Sequence, residues 1–296
     1  KQHVTQGAVA SPDQYGALVA EQILRKGGNA VDAAIATAFT LAVTYPEAGN
    51  IGGGGFMLVW FDGKPYFLDY RETAPAAAHK DMYLDADKQV IENLSLIGHK
   101  ASGVPGTVMG LWLAHKKFGS LPWQDLVAPA IHYASTGFTV AENQYQYRAD
   151  LLQQLDGKTN FSQYFGAMKA GENFKQPELA DTLKRIAAQG PDDFYKGKTA
   201  ELLVAEMQRG KGLITMEDLL AFKAELFQEL QSILGSQPAS NKQWLKSIEV
   251  RKLLSISAGT LQNLRINGTL RYTKIGGTLY YKTEDITKLL EGNGKR

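Results

Sequence analysis

The chain has 296 residues, 44% hydrophobic and 21% charged, with no cysteine and a formal net charge of +2. That length and apolar content suit one large domain or two ordinary ones with a real core. They exclude disordered and collagen-like classes, and the lack of cysteine excludes disulfides, thiolate metal sites and a Cys nucleophile while leaving the redox compartment open. The charge is uneven: residues 224–296 hold 11 Lys or Arg against 6 Asp or Glu, so a basic tail on an acidic body predicts two parts with different partners.

Lys1 opens into polar sequence without a basic n-region and apolar h-region, which predicts a secretory leader removed or never present. Residues 13–26 space Leu18, Val19, Ile23 and Leu24 as a helix, and Gly27-Gly28 is a good stop. A second helix is expected from about Asn29 to the residues before Pro46, with Ala30, Ala33, Ala34, Ala36 and Ala38 suited to close packing. Its apolar run, AVDAAIATAFTLAVTY, falls short of the roughly 20 residues of a membrane span and contains Asp32, so a buried helix and no membrane partner are predicted. Two β-rich runs follow, Phe56 to Phe61 and Pro65 to Tyr70, around the hairpin signal Asp62-Gly63-Lys64.

Between that helix and the hairpin lies Gly52 to Gly55. A phosphate loop needs a strand before its glycines and a helix after them, so that helix N–H groups face the phosphate. The order here is helix, glycines, strand, and no Lys-Ser/Thr follows. Four glycines that let the backbone pass close to something else are the better account. Arg71 leaves the end of the second β-run between Asp69-Tyr70 and Glu72. Its fork could hold a carboxylate in bidentate fashion, but composition alone favours a structural pair with Asp69 or Glu72.

The segments GGNAVDAAIATAFTLAVTYPEAGNIGGGGFML, LDYRETAP, GHKASGVPGTVMGL, GPDDFYKGKTAELLVAEMQ and GLITMEDLLAFKA resemble, in order, the large subunit of a γ-glutamyltransferase, from about residue 3 to 224. The resemblance implies an N-terminal-nucleophile hydrolase, a four-layer αββα sandwich whose precursor cuts itself into two subunits. It implies a γ-glutamyl substrate such as glutathione, passed to water or to an amino acid, and gives Arg71 the role of binding the α-carboxylate of the γ-glutamyl group. It also implies export to the periplasm or exterior. The family's nucleophile is a threonine at the start of the small subunit, whose α-amine activates its hydroxyl, with a Gly-Gly pair supplying oxyanion donors. Neither feature appears after residue 224. Thr5, Thr37, Thr40, Thr44, Thr73 and Thr107 match no nucleophile motif, so no catalytic residue is assigned. The five histidines show no ligand spacing, Ser102 lacks the first glycine of a nucleophile elbow, and no metal or cofactor is expected. An incomplete sandwich should expose apolar sheet faces and edges unless a partner such as a separate small subunit covers them.

From Glu225 the pattern changes. ELFQELQSIL places Leu226, Phe227, Leu230, Ile233 and Leu234 on one helical face, and GSQPASNKQ breaks it. Ser247 can cap a short helix through Leu254. Ser255-Ile256-Ser257 is a tight turn whose last serine can cap a second helix from Ala258 to Ile266, ended by Asn267-Gly268. RYTKIGGTLYYK is a basic hairpin around Gly276-Gly277, and Thr283 can cap a last helix. Two short helices plus a hairpin make a winged helix-turn-helix plan, with the second helix for the major groove and the wing for the backbone. A small solvated αβ domain with idle lysines is the plain alternative. The segment also resembles the small helix-turn-helix proteins of the MerR and excisionase type, which implies DNA as the partner, no catalysis and a cytoplasmic location. Base-facing candidates are Thr260, Gln262, Asn263 and Arg265; phosphate-facing candidates are Arg271, Lys274, Tyr280 and Lys282.

The expected architecture is therefore mixed α/β (α+β): an incomplete αββα hydrolase fragment over 1–224, helix and linker over 225–240, and a winged helix-turn-helix over 241–296. Three readings follow. One is a chimeric join lacking the catalytic subunit. Another is a natural fusion that senses a γ-glutamyl compound and regulates transcription, and the third is a transferase completed by a separate small subunit.

Overall fold

The structure is a computed structural model that describes residues 7–234, 243–254, 256–275 and 277–292, and the side chains of these except 229–234 and 290–292. The chain divides into two compact units, Lys1–Leu226 and Phe227–Arg296. In chain order the first unit contains α1 (Gln14–Arg25), α2 (Ala30–Thr44), β1 (Phe56–Phe61), β2 (Lys64–Asp69), α3 (Thr107–Phe118), α4 (Trp123–Thr136), β3 (Phe138–Thr139), α5 (Glu142–Leu155), α6 (Phe161–Phe165), β4 (Asn173–Phe174), α7 (Pro177–Gln189), α8 (Pro191–Lys196) and α9 (Lys198–Arg209). Helix α10 (Met216–Leu234) runs across the division.

The stop predicted at Gly27 is where the backbone needs it, and Asp13, Asn29 and Asp32 add side-chain caps. Asp13 accepts from the Gly16 N–H at 2.6 Å, and Gly27, at φ +90°, lets the chain leave α1 in the left-handed region. Asn29 and Asp32 form a reciprocal capping box at the start of α2. Helix α2 is buried on nearly every side, from Val31 to Thr44, because its small residues let α1, α3 and α4 approach it closely. Buried Asp32 is satisfied by the Asn29 and Ser120 backbone N–H groups and the Ser120 hydroxyl, which holds the α3–α4 connection against the start of α2. The unit has no helix long and apolar enough to cross a membrane among the described residues.

Strands β1 and β2 pair antiparallel with Leu58 opposite Phe67 and Phe61 opposite Lys64. The loop is two residues, Asp62 and Gly63, both at positive φ, so β2 starts one residue before the expected Pro65. One face of the hairpin packs on α3, where Phe61 and Tyr66 meet Phe118 at 5.3 and 5.1 Å between ring centroids. The other face is open: Phe56, Leu58, Trp60 and Phe67 are 60–73% exposed. Alternating residues send one row to each face, and among the described residues this apolar row is left exposed.

The second unit comprises β5 (Trp244–Lys246), α11 (Ser247–Leu254), α12 (Ala258–Ile266), β6 (Thr273–Ile275), β7 (Thr278–Lys282) and α13 (Thr283–Gly292). Its sheet has the order β5-β7-β6, antiparallel throughout. The Ser257 hydroxyl accepts from the Thr260 N–H at 3.1 Å and caps α12, and Gly268 ends it at φ +68°. Val250, Leu261, Leu270, Tyr281 and Ile286 make a core of the unit's own. The expected turn residues Ser255 and Gly276, the linker 235–242, and the side chains of Leu230, Ile233 and Leu234 lie outside what is described. Strand β5 has no counterpart in the sequence reading: three residues are too few to show alternation, and it exists by pairing with β7, Leu245 opposite Tyr281.

Candidate functional site

Arg71 emerges from the end of β2 into solvent, and what surrounds it is glycine. A Cβ on Gly54 would lie 2.7 Å from the Glu72 N and Tyr70 O atoms and 2.8 Å from the Arg71 Cα. One on Gly106 would lie 1.9 Å from the Tyr70 O, and one on Gly110 would enter the Tyr70 ring at 2.0 Å. The glycine run and the start of α3 thus grip the backbone of Tyr70–Glu72 from both sides, an approach that only glycine permits. Hydrogen bonds fix the grip. The Gly53 carbonyl accepts from the Gly106 and Thr107 N–H groups at 2.7 and 3.0 Å, and the Asn50 Oδ1 accepts from the Gly53 N–H at 2.8 Å and the Thr107 hydroxyl at 2.7 Å. Beyond Arg71, Thr73 and Val104 exchange backbone hydrogen bonds.

The arginine itself is left available. Asp69 accepts from its backbone N–H at 3.2 Å, and among the described residues no carboxylate lies within ion-pair distance of its guanidinium. Tyr70, beside it, is buried, and burial pushes its phenol pKa up, so the ring adds no competing negative charge. The result is a free planar fork on a fixed backbone, a geometry suited to a carboxylate. Asn50 has a local signal, an Asx-turn before a glycine run, whereas Thr107 reaches it from 57 residues away.

In the second unit the predicted contacts separate. Gln262 and Asn263 are exposed on α12, and Arg271, Lys274 and Lys282 are exposed around the hairpin. Thr260 is exposed, with its hydroxyl 2.9 Å from the Ser257 hydroxyl at the cap. Tyr280 is half-buried, opposite Thr273 on β6 and Lys246 on β5. Arg265 is half-buried, and its Nη1 donates to the Tyr281 hydroxyl at 2.8 Å. The Lys282 ammonium lies 5.2 Å from the ring centroid of Trp244, an aromatic neighbour the sequence reading had not singled out.

Comparisons with known proteins divide the chain in the same sense. A family model described as Gamma-glutamyltranspeptidase matches residues 16–239, and one described as Helix-turn-helix domain matches 244–294. The chain is 70% identical over 217 residues to the glutathione hydrolase proenzyme of Pseudomonas aeruginosa, a match that covers 73% of this chain and 39% of that protein. It therefore spans about two fifths of that relative's length. Among solved structures, the gamma-glutamyltranspeptidase of Pseudomonas nitroreducens, complexed with L-DON, is similar at TM-score 0.73 and 69% identity, over 74% of this chain and 65% of that one. The Helicobacter pylori gamma-glutamyltranspeptidase is similar at TM-score 0.72 and 32% identity, over 81% and 80%.

Proposed function

Because the chain belongs to the gamma-glutamyltranspeptidase family over residues 16–239, we propose that its larger unit is a large-subunit fragment that offers Arg71 to the α-carboxylate of a γ-glutamyl compound such as glutathione, and that its smaller unit binds DNA. The observation that carries the first half is the state of Arg71, a guanidinium with no carboxylate within ion-pair distance among the described residues, on a backbone clamped by Gly54 and Gly106. Such a fork can give two parallel N–H donors to a carboxylate with little further ordering. The second half rests on exposed Gln262 and Asn263 on α12 beside exposed Arg271, Lys274 and Lys282 in one compact unit, the pairing of a base-reading helix with cations for phosphate.

We further propose that these 296 residues do not complete a γ-glutamyl transfer alone. That reaction needs a nucleophilic hydroxyl whose proton passes to a base as it attacks the γ-carbonyl, and donors for the oxyanion that forms. The sequence after Ala224 supplies a helix, a linker and the helix-turn-helix instead. A join near 224/225 accounts for this, and for an export-type enzyme sharing a chain with a module that belongs with DNA. One observation favours a second reading, completion by a separate small subunit: the open apolar face at Phe56, Leu58, Trp60 and Phe67. A natural fusion that senses a γ-glutamyl compound is the third.

Titration of the full chain with glutathione should show binding that Arg71→Ala removes; equal binding by both overturns the role of Arg71. A γ-glutamyl anilide should not be turned over by the chain alone, and turnover that Arg71→Ala abolishes would refute the incomplete-enzyme reading. DNA binding should weaken steeply with salt, and no binding at low salt counts against the second unit's role. Sequencing the source DNA across codons 217–230 separates a natural fusion from an assembly join.

A further inference from the structure

Tyr281 is fully buried at the centre of the second unit's core, so its hydroxyl must find partners inside the protein. It accepts from the Arg265 Nη1 at 2.8 Å and lies 3.4 Å from the Ser247 Oγ at the start of α11. Since the Tyr281 oxygen accepts from Arg265, its own proton is free to point at Ser247. One hydroxyl on β7 therefore links both helices of the helix-turn-helix. The ring of Tyr272, between α12 and the wing, lies 5.9 Å from the same guanidinium and 6.4 Å from the Tyr281 ring.

Helix geometry agrees with this. Leu261, Leu264 and Arg265 are spaced i, i+3, i+4 and share one face, and that face packs inward: Leu261 is buried, and Leu264 and Arg265 are half-buried. Gln262 and Asn263 point elsewhere and are exposed. Arg265 also sits in the last turn of α12, where its charge is favoured by the unsatisfied carbonyls. To reach a base edge it would have to leave the Tyr281 hydroxyl with only the longer Ser247 contact, in a core where an unsatisfied polar group is costly.

We propose that Arg265 is a positioning residue that braces α12 against β7 through the buried Tyr281 hydroxyl, leaving the reading of bases to Gln262 and Asn263. This deepens the DNA-binding reading and rests on it. The test compares full-length wild type, Arg265→Ala, Tyr281→Phe, the double variant and Asn263→Ala. With a random-sequence duplex as probe, Arg265→Ala and Tyr281→Phe should each weaken binding roughly tenfold, the lower end of what one hydrogen bond to a charged group is worth, and the double variant should weaken it no further. Selection from a randomised duplex pool should return the wild-type base preference for both, and an altered preference for Asn263→Ala. Loss of preference at one base in Arg265→Ala but not in Tyr281→Phe overturns the proposal. Hydrogen exchange of peptides covering 258–266, measured without DNA, decides the brace even if wild type binds no duplex. Equal acceleration in both single variants, not added to in the double, supports it, and additive effects or an unaffected Tyr281→Phe refute it.

Discussion

Alanine scanning of the glycine run tests whether these residues are there for close approach. At Gly54 a methyl group would stand 2.7 Å from the Glu72 N and Tyr70 O atoms and 2.8 Å from the Arg71 Cα. Ordinary carbon contacts begin near about 3.5 Å, so the backbone at the end of β2 would have to move by most of an ångström. It is held on its other side by Gly106 and Gly110, and cannot move without lifting Tyr70 from α3. Overpacking of this kind costs about 1–3 kcal/mol, and because the obstacle is backbone the upper half of that range applies. At Gly52 nothing lies within 4 Å and φ is outside the left-handed region, so Gly52→Ala should change stability by less than about 0.5 kcal/mol. Urea unfolding followed by the tryptophan fluorescence of the larger unit compares the two variants directly. Glutathione binding should fall with Gly54→Ala and persist with Gly52→Ala, since only the first displaces Arg71. Equal and mild effects at the two positions would refute the clamp.

Asn29→Ala removes the reciprocal cap of α2 and a 2.6 Å hydrogen bond to the Phe118 carbonyl; a loss of about 1–2 kcal/mol is expected, read as a lowered Tm. On the open hairpin face, Leu58→Lys replaces a side chain that is 73% exposed. It should leave the unfolding midpoint almost unchanged while lowering dye binding and self-association, and clear destabilisation would show that this face is covered. Hydrogen bonds from Arg209 and then His99 hold the Glu206 carboxyl down to about 2. A folded pKa below the ordinary value contributes stability that is present above about 4.5 and lost as pH falls toward 2. Glu206→Gln should therefore flatten the acid side of the stability curve over that interval, and parallel curves for the two proteins would show the cluster to be inert.

What the sequence made legible is what neighbours in the chain decide. Gly27-Gly28 after α1, Ser257 before α12, and Asp62-Gly63 between alternating apolar runs are each complete within a few residues. The site is legible only in part for the same reason. Arg71 stands out by its place at the end of a strand, but the groups that fix it arrive from afar: Thr107 meets Asn50 across 57 residues, and Val104 meets Thr73 across a long, irregular segment. Likewise β5 exists only through its pairing with β7. Helix α5 shows no apolar stripe to read because the residues it buries are Gln144 and Arg148. In α12, polar type made Arg265 look like Gln262 and Asn263, while its i+4 relation to Leu261 already placed it on the inward face.

Helix α10 shows why a join can leave no trace in secondary structure. Its ladder bonds are backbone to backbone, so two helical segments fused in register continue as one whatever their origin. Side chains are more informative. Near its start Asp218 accepts from the Ala76 and Thr215 N–H groups, and Leu219, Phe222 and Leu226 follow as buried residues, while Phe227 is exposed. The larger unit thus draws on the helix as far as Leu226, and the smaller unit's core of Val250, Leu261, Leu270, Tyr281 and Ile286 lies wholly beyond it. A short Gly-Ser insertion after Gln228 should therefore leave hydrogen-exchange protection intact in α2 and α3 and in α11 and α12 of the full chain. Loss of protection in the second unit would mean that its core depends on an unbroken α10, and would argue against two modules joined end to end.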